Sequence, residues 1–294
     1  MNDSRLILVF YVASRIPRNQ QIILEKLMET SGREGAAIEV DSLVKRYGDF
    51  TAVDDITFSV NPREIFAFLG PNGAGKTTTI KILTTLLERT SGQVRVNGYD
   101  PGKSPADARR SFGIVFQDQS LDDELTAQEN MEYHGVLYGV EKKLRRQRIK
   151  ELLNYVELWE RKDKLVKTFS GGMKRRLEIA RGLIHHPKVL FLDEPTLGLD
   201  PQTRNYIWEY INKLTREEDM TVLFTTHYMD EAQRNANRIA IIDHGKIVVV
   251  DTPQDMMRNT DTDNIEAAFL SYTGHEIREM EADSIDRMRM MRKA

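Results

Sequence analysis

The sequence contains no cysteine, so disulfide bonds, zinc ribbons and thiol catalysis are excluded. It also lacks a long apolar run: the longest, residues 6–13, has eight residues, whereas a membrane-spanning helix needs about 20. With 42 basic and 45 acidic residues, the formal charge of −3 argues against a protein that coats nucleic acid. Hydrophobic residues make up 40% and charged residues 30% of the 294 residues, which is typical of a globular protein with a core.

Strand patterns occur in both halves of the chain. Apolar residues cluster or alternate at residues 38–44 and 56–60, on either side of a predicted turn at 47–49. Residues 64–69 predict a buried strand, and residues 76–87 predict the helix that follows it. Further strands are predicted at 94–96, 112–116, 189–192, 221–225, 239–242 and 247–250.

The middle of the chain has a different pattern. Between Leu125 and Ile184 apolar residues recur at helical spacing, as at Leu144, Ile149 and Leu152. A βα pattern interrupted by an all-helical segment is typical of a parallel-sheet nucleotide-binding fold that carries a helical subdomain. The sequence therefore predicts an α/β protein with this subdomain at about residues 121–186.

Residues 70–78 (GPNGAGKTT) match the phosphate-loop pattern GxxxxGK(S/T) between a predicted strand and a predicted helix. Glycines let backbone N–H groups turn toward phosphate oxygens, and the helix N-terminus favours an anion. Lys76 is expected to bridge the β- and γ-phosphates of ATP, and Thr77 to ligate Mg²⁺. A simple glycine turn with a solvated lysine is the alternative, which the flanking strand and helix disfavour. The predicted nucleotide-binding residues here are Gly70, Pro71, Asn72, Gly73, Ala74, Gly75, Lys76, Thr77 and Thr78.

The apolar strand at 189–192 ends in two carboxylates, Asp193 and Glu194. Beside a phosphate loop, Asp193 can hold Mg²⁺ with its water shell, and Glu194 can polarise a water for attack on the γ-phosphate. Pro195 enforces an abrupt exit from the strand, which helps to fix the direction of both side chains. The alternative is a strand end with two exposed acidic residues.

Two more motifs stand at characteristic distances from these. Gly171 lies 22 residues before Asp193, and His227 lies 33 residues after Glu194. Together the motifs resemble the nucleotide-binding subunit of ABC transporters over roughly residues 38–255. This resemblance implies a P-loop NTPase core with a parallel sheet, an N-terminal antiparallel β subdomain and an inserted α-helical subdomain. Its elements in chain order are the phosphate loop, Gln117, the SGG sequence Ser170-Gly171-Gly172, the carboxylate strand, the Leu199-Asp200 turn and His227.

In such proteins two subunits pair head to tail, so each ATP lies between one phosphate loop and the SGG motif of the other subunit. The resemblance therefore implies that Ser170, Gly171 and Gly172 contact the γ-phosphate across a dimer. Roles are implied for four further residues. Tyr47 would stack on adenine, and Gln117 would sense the nucleotide, bind Mg²⁺ and connect to the membrane partner. Asp200 would join the two sites, and His227 would bind the γ-phosphate and orient the attacking water.

One substitution points to a branch of this family. The SGG motif reads FSGGM, with Met173 in place of the usual glutamine, and this is similar to exporters related to daunorubicin-resistance pumps. Residues 120–126 and 267–270 resemble that branch too. The branch implies an ATPase subunit, a homodimer at the cytoplasmic face of the membrane, that powers export of drugs or other amphipathic or lipid-like substrates. The implied partner is a separate permease of about six spanning helices, and no nucleic-acid partner is expected.

Two other functions fit parts of the pattern. A soluble ATP-driven clamp acting on nucleic acid or the ribosome usually carries two cassettes or a long coiled-coil insertion, whereas this chain has one cassette and a compact insert. A regulatory nucleotide-binding module without turnover is disfavoured, because the residues expected for hydrolysis are all present.

The remaining segments carry weaker expectations. Residues 1–37 are expected to be an N-terminal extension and residues 256–294 a C-terminal helical tail. Met28 would begin a chain of ordinary family length, so that residues 1–27 would not be translated. The alternative is an amphipathic helix that contains Ile22, Ile23, Leu27 and Met28 and docks on another surface. Residues 6–13 also resemble a weak signal-peptide core, which a need for cytosolic ATP disfavours.

Two basic segments and the other histidines are expected to lie outside the site. The six basic residues within 141–150 are expected on the solvated side of an amphipathic helix, with contact to anionic lipid or a partner loop as the alternative. Residues 287–293 are expected to be a disordered tail, with membrane contact as the alternative. Structural or surface roles are expected for His134, His185, His186, His244 and His275.

Overall fold

The computed structural model describes residues 35–274. Its first sheet has three antiparallel strands in the order β2-β1-β4. These are β1 (Ile38–Tyr47), β2 (Phe50–Val60) and β4 (Ser91–Val96). Buried and exposed positions alternate along much of β1 and β2, so this sheet buries one face and exposes the other.

The second sheet has six strands in the order β5-β6-β7-β3-β8-β9, all paired in parallel except β8 with β9. All five positions of β3 and of β6 are buried, as expected when both faces of a parallel sheet are covered. The strands are β3 (Ile65–Leu69), β5 (Phe112–Val115), β6 (Val189–Asp193), β7 (Thr221–Thr226), β8 (Arg238–Asp243) and β9 (Lys246–Asp251).

Helices connect these strands and cover the second sheet. The helices within residues 35–274 are α1 (Lys76–Leu83), α2 (Pro105–Ser111), α3 (Ala127–Leu137), α4 (Lys142–Tyr155), α5 (Gly171–Gly182), α6 (Pro201–Glu217), α7 (Met229–Asn235), α8 (Pro253–Thr260) and α9 (Ile265–Thr273). Two single 3₁₀ turns, Trp159–Arg161 and Val166–Thr168, join α4 to α5. None of these helices has the length and apolar character needed to span a bilayer.

The core consists of two hydrophobic clusters, one on each face of the second sheet. Along β3, Ile65, Ala67 and Leu69 belong to the cluster beneath the helices. Phe66 and Phe68 belong to the opposite cluster, which is shared with the antiparallel sheet. There the Phe58 ring lies 4.8 Å from the Phe68 ring and 5.7 Å from the Phe66 ring, measured between centroids. The period-two alternation of β3 therefore joins both layers of the fold.

The inserted helices leave the sheet and return to it at one place. The chain exits after β5 and re-enters at β6, and these strands pair directly, with Phe112 opposite Val189. Between them lie α3, α4 and α5, which are the predicted helical insert. The predicted fold class, with its antiparallel and helical additions to a parallel-sheet core, is confirmed. The boundaries of the predicted domains remain predictions.

Several predicted element ends are wrong, each for a local reason. The helix predicted over 76–87 ends at Leu83, since Thr85 has a left-handed φ of 66° and the N–H groups of Leu86 and Leu87 donate back to the Lys81 oxygen at 2.8 and 3.0 Å. The second strand begins at Phe50 rather than at residue 56, because residues 50–53 pair with the end of β1.

The ends of the chain carry predictions that lie largely outside the described residues. These are the ones on residues 1–27, on the apolar run 6–13, on Met28, on His275 and on the basic residues 287–293. Within the described part, Ile265 and Phe269 of α9 are fully buried, and this helix packs on α7, α8 and β9.

Candidate functional site

The phosphate loop connects β3 to the first turn of α1 and requires glycine at several positions. Gly73 and Gly75 have φ values of 83° and 106°, a region that side chains with a Cβ disfavour. A Cβ on Gly70 would lie 2.2 Å from the Ile242 oxygen, and one on Gly75 would lie 2.7 Å from the Ala52 oxygen. The backbone is thus pressed against β8 and β2, and the loop ends at the N-terminus of a helix, where anions bind favourably.

Lys76 is the first residue of α1 and is only 5% exposed. Its Nζ donates to the Gly70 oxygen at 2.6 Å and to the Pro71 oxygen at 3.0 Å. The same Nζ lies 3.8 Å from Glu194 Oε1. The ammonium charge is therefore held within the phosphate loop, beside the second carboxylate of the β6 strand end.

Asp193 is the last residue of β6 and is 2% exposed. Its Oδ1 accepts a hydrogen bond from Thr225 Oγ1 at 2.6 Å and one from Thr77 Oγ1 at 3.3 Å. A carboxylate beside a hydroxyl is a set of hard oxygen donors, which fits Mg²⁺. Within residues 35–274 no group of three or more acidic, histidine or cysteine side chains could hold a metal alone. A metal at Asp193 and Thr77 would therefore take further ligands from phosphate and water.

Glu194 follows in a left-handed backbone conformation, with φ of 47°. Its N–H donates to Thr225 Oγ1 at 2.9 Å, and its Oε2 lies 3.1 Å from His227 Nδ1. Burial raises the pKa of Glu194, but His227 and the charge of Lys76 lower it, and the balance leaves this pKa below its ordinary value. Glu194 is therefore a carboxylate at neutral pH and can accept a proton.

Lys76, Thr77 and Glu194 line a cleft of about 530 Å³, whereas Asp193 and His227 are not among its lining residues. The phosphate loop, Tyr47, Gln117 and Glu194 line it together, so the structure brings these predicted residues to one place. Tyr47 is 48% exposed there, which leaves its ring accessible to a planar base.

The cleft also has walls that sequence reasoning missed. These wall residues are Phe50, Thr51, Ala52, Asp243, His244 and Gly245. They reach the site because Gly245 N–H donates to the Ala74 oxygen at 3.0 Å, and its own oxygen accepts from Asp54 N–H at 2.8 Å. The only signal in the sequence was the aromatic residue Phe50, three positions after Tyr47. The turn between β8 and β9 carries no such signal, since it becomes a wall only when β8 pairs with β3.

The SGG motif and Asp200 do not line this cleft. Ser170 caps α5 by accepting from Met173 N–H at 3.3 Å, and Asp200 caps α6 by accepting from Thr203 N–H at 3.0 Å. The two caps are neighbours, because a Cβ on Gly172 would lie 2.6 Å from Thr203 Cγ2. Ser170, Gly171 and Asp200 are exposed. Within one chain they thus form a separate surface.

The basic stretch at 141–150 is not simply a solvated face. Arg145 is 9% exposed, and its guanidinium contacts Glu132 Oε1 at 2.7 Å and the Val140 oxygen at 2.6 Å. Arg148 donates to the Ile184 and Leu183 oxygens at 3.1 and 3.0 Å. The prediction is therefore wrong for these two arginines, which cap and join helices, while the four other basic residues are exposed.

Two of the remaining histidines are structural. Burial lowers the pKa of His134 to about 3 and that of His185 to about 4, so both rings are neutral at pH 7. The His185 ring stacks on Tyr138 with 3.9 Å between centroids.

Comparison with known proteins places these features in a family. The family described as "ABC transporter" matches residues 53–197. The linearmycin resistance ATP-binding protein LnrL of Bacillus subtilis is 43% identical over 228 residues, 78% of this chain and 73% of LnrL. The daunorubicin/doxorubicin resistance ATP-binding protein DrrA of Streptomyces peucetius is 44% identical over 220 residues, 75% of this chain and 66% of DrrA.

Solved structures agree with this placement. The structure of an ATP-binding subunit of an ABC transporter superposes with a TM-score of 0.74 at 29% identity, covering 81% of this chain and 99% of that one. A dimeric ATP-binding cassette in a post-hydrolysis state, bound to ADP and phosphate, gives a TM-score of 0.66 at 27% identity and covers 73% of this chain and 98% of that one. The chain therefore belongs to the ATP-binding proteins of ABC transporters, dimeric ATPases that bind ATP and ADP and couple ATP hydrolysis to transport through a membrane permease.

Proposed function

We propose that this chain hydrolyses ATP with Glu194 as the general base, and that it powers export of drugs or other amphipathic or lipid-like substrates. The observation that carries the proposal is the arrangement of charges in the cleft. Lys76 Nζ and His227 Nδ1 lie 3.8 and 3.1 Å from the two oxygens of Glu194. Asp193 Oδ1 and Thr77 Oγ1, 3.3 Å apart, lie beside them.

The phosphate loop binds the triphosphate through its backbone N–H groups and the N-terminus of α1. Lys76 moves from the loop carbonyls to the β- and γ-phosphates, which are stronger acceptors for its charge. Asp193 and Thr77 would hold Mg²⁺, with Gln117 as a further ligand from the wall of the cleft. When bound, Mg²⁺ supplies neutralisation of the charge on the phosphate oxygens.

Glu194 accepts a proton from the attacking water because it is ionised and faces the cleft. The ring of His227 lies beside Oε2, and we expect it to contact both the γ-phosphate and this water. Tyr47 stacks on the adenine from the open end of the cleft. The chemistry is therefore positioning and charge stabilisation, as is general for phosphoryl transfer.

A second copy of the chain completes the site. Ser170 and Gly171 are exposed and lie outside the cleft, so they are available to the nucleotide of another subunit. The first N–H groups of α5 provide a second helix N-terminus for the γ-phosphate. Asp200, which is next to this helix, would join the two sites of the dimer.

The nature of the cargo rests on similarity. Two relatives above 40% identity are named for resistance to linearmycin and to daunorubicin or doxorubicin. These names support export of drug-like substrates. We propose that a separate permease of about six spanning helices carries them. The chain would then work at the cytoplasmic face of the membrane.

The test of the proposed chemistry is Glu194→Gln. The amide keeps the size of the side chain but cannot accept the proton, so we expect ATP hydrolysis to fall by about 100-fold or more. ATP affinity should stay within about threefold, since the phosphate loop is unchanged. Closed dimers should therefore accumulate with ATP. Size-exclusion chromatography with radiolabelled nucleotide measures both the dimer and the nucleotide bound to it.

The matched control is Glu39→Gln, which makes the same change on the exposed face of β1. It should hydrolyse ATP like the wild type. Hydrolysis by Glu194→Gln close to the wild-type rate would remove Glu194 from the role of base.

A further inference from the structure

Arg175 lies in the middle of α5, five residues after Ser170, and its side chain is 8% exposed. Its guanidinium binds backbone carbonyls from two separate loops. Nε donates to the Pro195 oxygen at 2.7 Å, and Nη2 donates to the Glu194 and Asp193 oxygens at 2.8 and 3.2 Å. Nη1 donates to the Phe116 oxygen. The guanidinium is also 3.2 Å from Glu178 Oε2, which balances its buried charge.

The first three contacts surround the backbone that aims the proposed base. Glu194 has a left-handed φ of 47°, a conformation that a residue with a Cβ keeps only when its surroundings impose it. Thr225 holds the N–H of Glu194, and Arg175 holds its carbonyl and the carbonyls on either side. The direction of the Glu194 side chain therefore depends on the position of the Arg175 guanidinium.

The fourth contact reaches the other wall of the cleft. Phe116 immediately precedes Gln117, which lines the nucleotide cleft. A single planar group thus fixes the strand end that carries Asp193 and Glu194 together with the loop that carries Gln117. Arginine suits this role, because its donors lie in one rigid plane, whereas lysine offers a single mobile ammonium.

The helix that carries Arg175 also carries the surface proposed to meet the other subunit. Ser170 caps α5, and Arg175 lies about one and a half turns further along the same helix. A helix of this length moves as a rigid unit, so displacement of its N-terminus also displaces Arg175. Docking of Ser170 on a nucleotide in the other subunit would therefore move the Arg175 guanidinium, and with it the backbone that positions Glu194 of the same subunit.

We propose that Arg175 is a positioning residue that aims Glu194 and Gln117, and that it links their placement to the docking of α5 on the second nucleotide of the dimer. This inference rests on the proposed roles of Glu194 and Ser170. Arg175 itself touches no substrate, so its effect should appear in turnover and not in nucleotide affinity.

The test is Arg175→Lys in the full-length chain, which keeps the charge and the stem but loses the planar donors. We expect kcat for ATP hydrolysis to fall by about tenfold or more, because a displaced base is poorly aligned. KM and the affinity for ATP should stay within about threefold. Dimers should still form with ATP and persist longer than those of the wild type.

The matched control is Arg176→Lys on the next position of the same helix. Arg176 contacts the Val156 oxygen at 3.0 Å and Glu157 at 3.3 Å, away from the cleft. Its lysine variant should keep the wild-type kcat. If Arg175→Lys does not fold, the double variant Arg175→Gln with Glu178→Gln removes both buried charges together and should show the same loss of kcat at unchanged affinity.

Two results would overturn the inference. One is a kcat within about twofold of the wild type. The other is a parallel loss of kcat, ATP affinity and thermal stability, which indicates a purely structural residue. Either result can occur while Glu194→Gln still abolishes hydrolysis, in which case the proposed function stands and only the role of Arg175 fails. A wild-type-like rate for Glu194→Gln would instead refute the proposed function.

Discussion

Glu231 is a buried carboxyl group between two segments of the site, with 5% of the residue exposed. Thr196 Oγ1 donates to its Oε1, and Thr226 Oγ1 donates to its Oε2 at 3.3 Å. Thr196 belongs to the segment after Glu194, and Thr226 immediately precedes His227. Burial raises the pKa of Glu231 although both hydroxyl groups lower it. The residue therefore joins the segment of Glu194 to the segment of His227 and is costly to ionise.

This raised pKa makes stability depend on pH. The unfolded carboxyl titrates near 4.5, so above that pH the native state binds more protons than the unfolded state. The contribution of Glu231 is complete below this value and is lost as pH rises through the higher native pKa, by about 1.4 kcal/mol for each unit of elevation. Glu231→Gln stays neutral throughout. We expect its free energy of unfolding to fall less than that of the wild type as pH rises.

Urea unfolding between about pH 5 and pH 8 measures this difference. Glu209→Gln, on the exposed side of α6, is the control and should follow the wild-type pH dependence. Parallel curves for Glu231→Gln and the wild type would show that Glu231 titrates normally.

Residues differ in how far the sequence reveals them. Lys76 and Asp193 could be predicted from the residues next to them. Lys76 follows a glycine-rich loop, and Asp193 ends an apolar strand. Arg175 could not be predicted, since a polar residue in an amphipathic helix resembles a solvated one. Its burial arises from Pro195, twenty residues away, and from the Phe116 loop, which only the tertiary fold brings together.

Strand β5 and helix α5 approach each other so closely that one position tolerates no side chain. A Cβ on Gly113 would lie 2.3 Å from the Gly182 oxygen, a backbone atom that cannot rotate away. A Cβ on Gly182 would meet only ordinary contacts, at 3.6 and 3.8 Å from Ile114 backbone atoms. The contact between β5 and α5 therefore requires glycine at position 113 but not at position 182.

We expect Gly113→Ala to lower the free energy of unfolding by about 2 kcal/mol or more, because the strand and the helix must separate. Gly182→Ala is the matched control, and it should lie within about 1 kcal/mol of the wild type, since alanine also favours the helix. Chemical denaturation of both variants measures the difference. Equal stability of the two would mean that α5 can shift away from β5 without loss.

The positions of helices and strands could be predicted from the sequence more accurately than their first and last residues. The position of β3 follows from its unbroken apolar run, and the helical insert follows from its spacing. The beginning of β2 could not be found, because Asp54 and Asp55 interrupt the apolar pattern of residues 50–55, which are ordered through their pairing with β1. Strand ends of this kind are fixed by hydrogen-bond partners and not by hydrophobicity.

At the scale of the molecule, chain order and spatial order differ. The sequence predicts strands and helices that alternate, which favours a parallel sheet. The observed order β5-β6-β7-β3-β8-β9 places the strand of the phosphate loop beside β7 and β8, far from it in sequence. That arrangement brings Lys76, Asp193 and His227 to one edge of the sheet. The order of the motifs identified the family. The meeting of these residues at one edge of the sheet depends on strand pairing between segments that are distant in sequence.

The C-terminal helices raise the question whether the tail is part of the cooperative unit. Phe269 is fully buried in the same cluster as Ile239 and Ile241 of β8, whereas Leu270 next to it is 42% exposed.

If tail and core unfold together, Phe269→Ala should destabilise the whole domain by about 3 to 5 kcal/mol, and Leu270→Ala should have little effect. Urea unfolding followed by tryptophan fluorescence reports on the core through Trp208 of α6 and on the helical insert through Trp159. Limited proteolysis reports separately on α8 and α9. The contrary result is cleavage of Phe269→Ala near residue 252 with an unchanged fluorescence transition. It would mean that α8 and α9 detach while the core stays folded. The buried Phe269 ring would then attach these helices without stabilising the core.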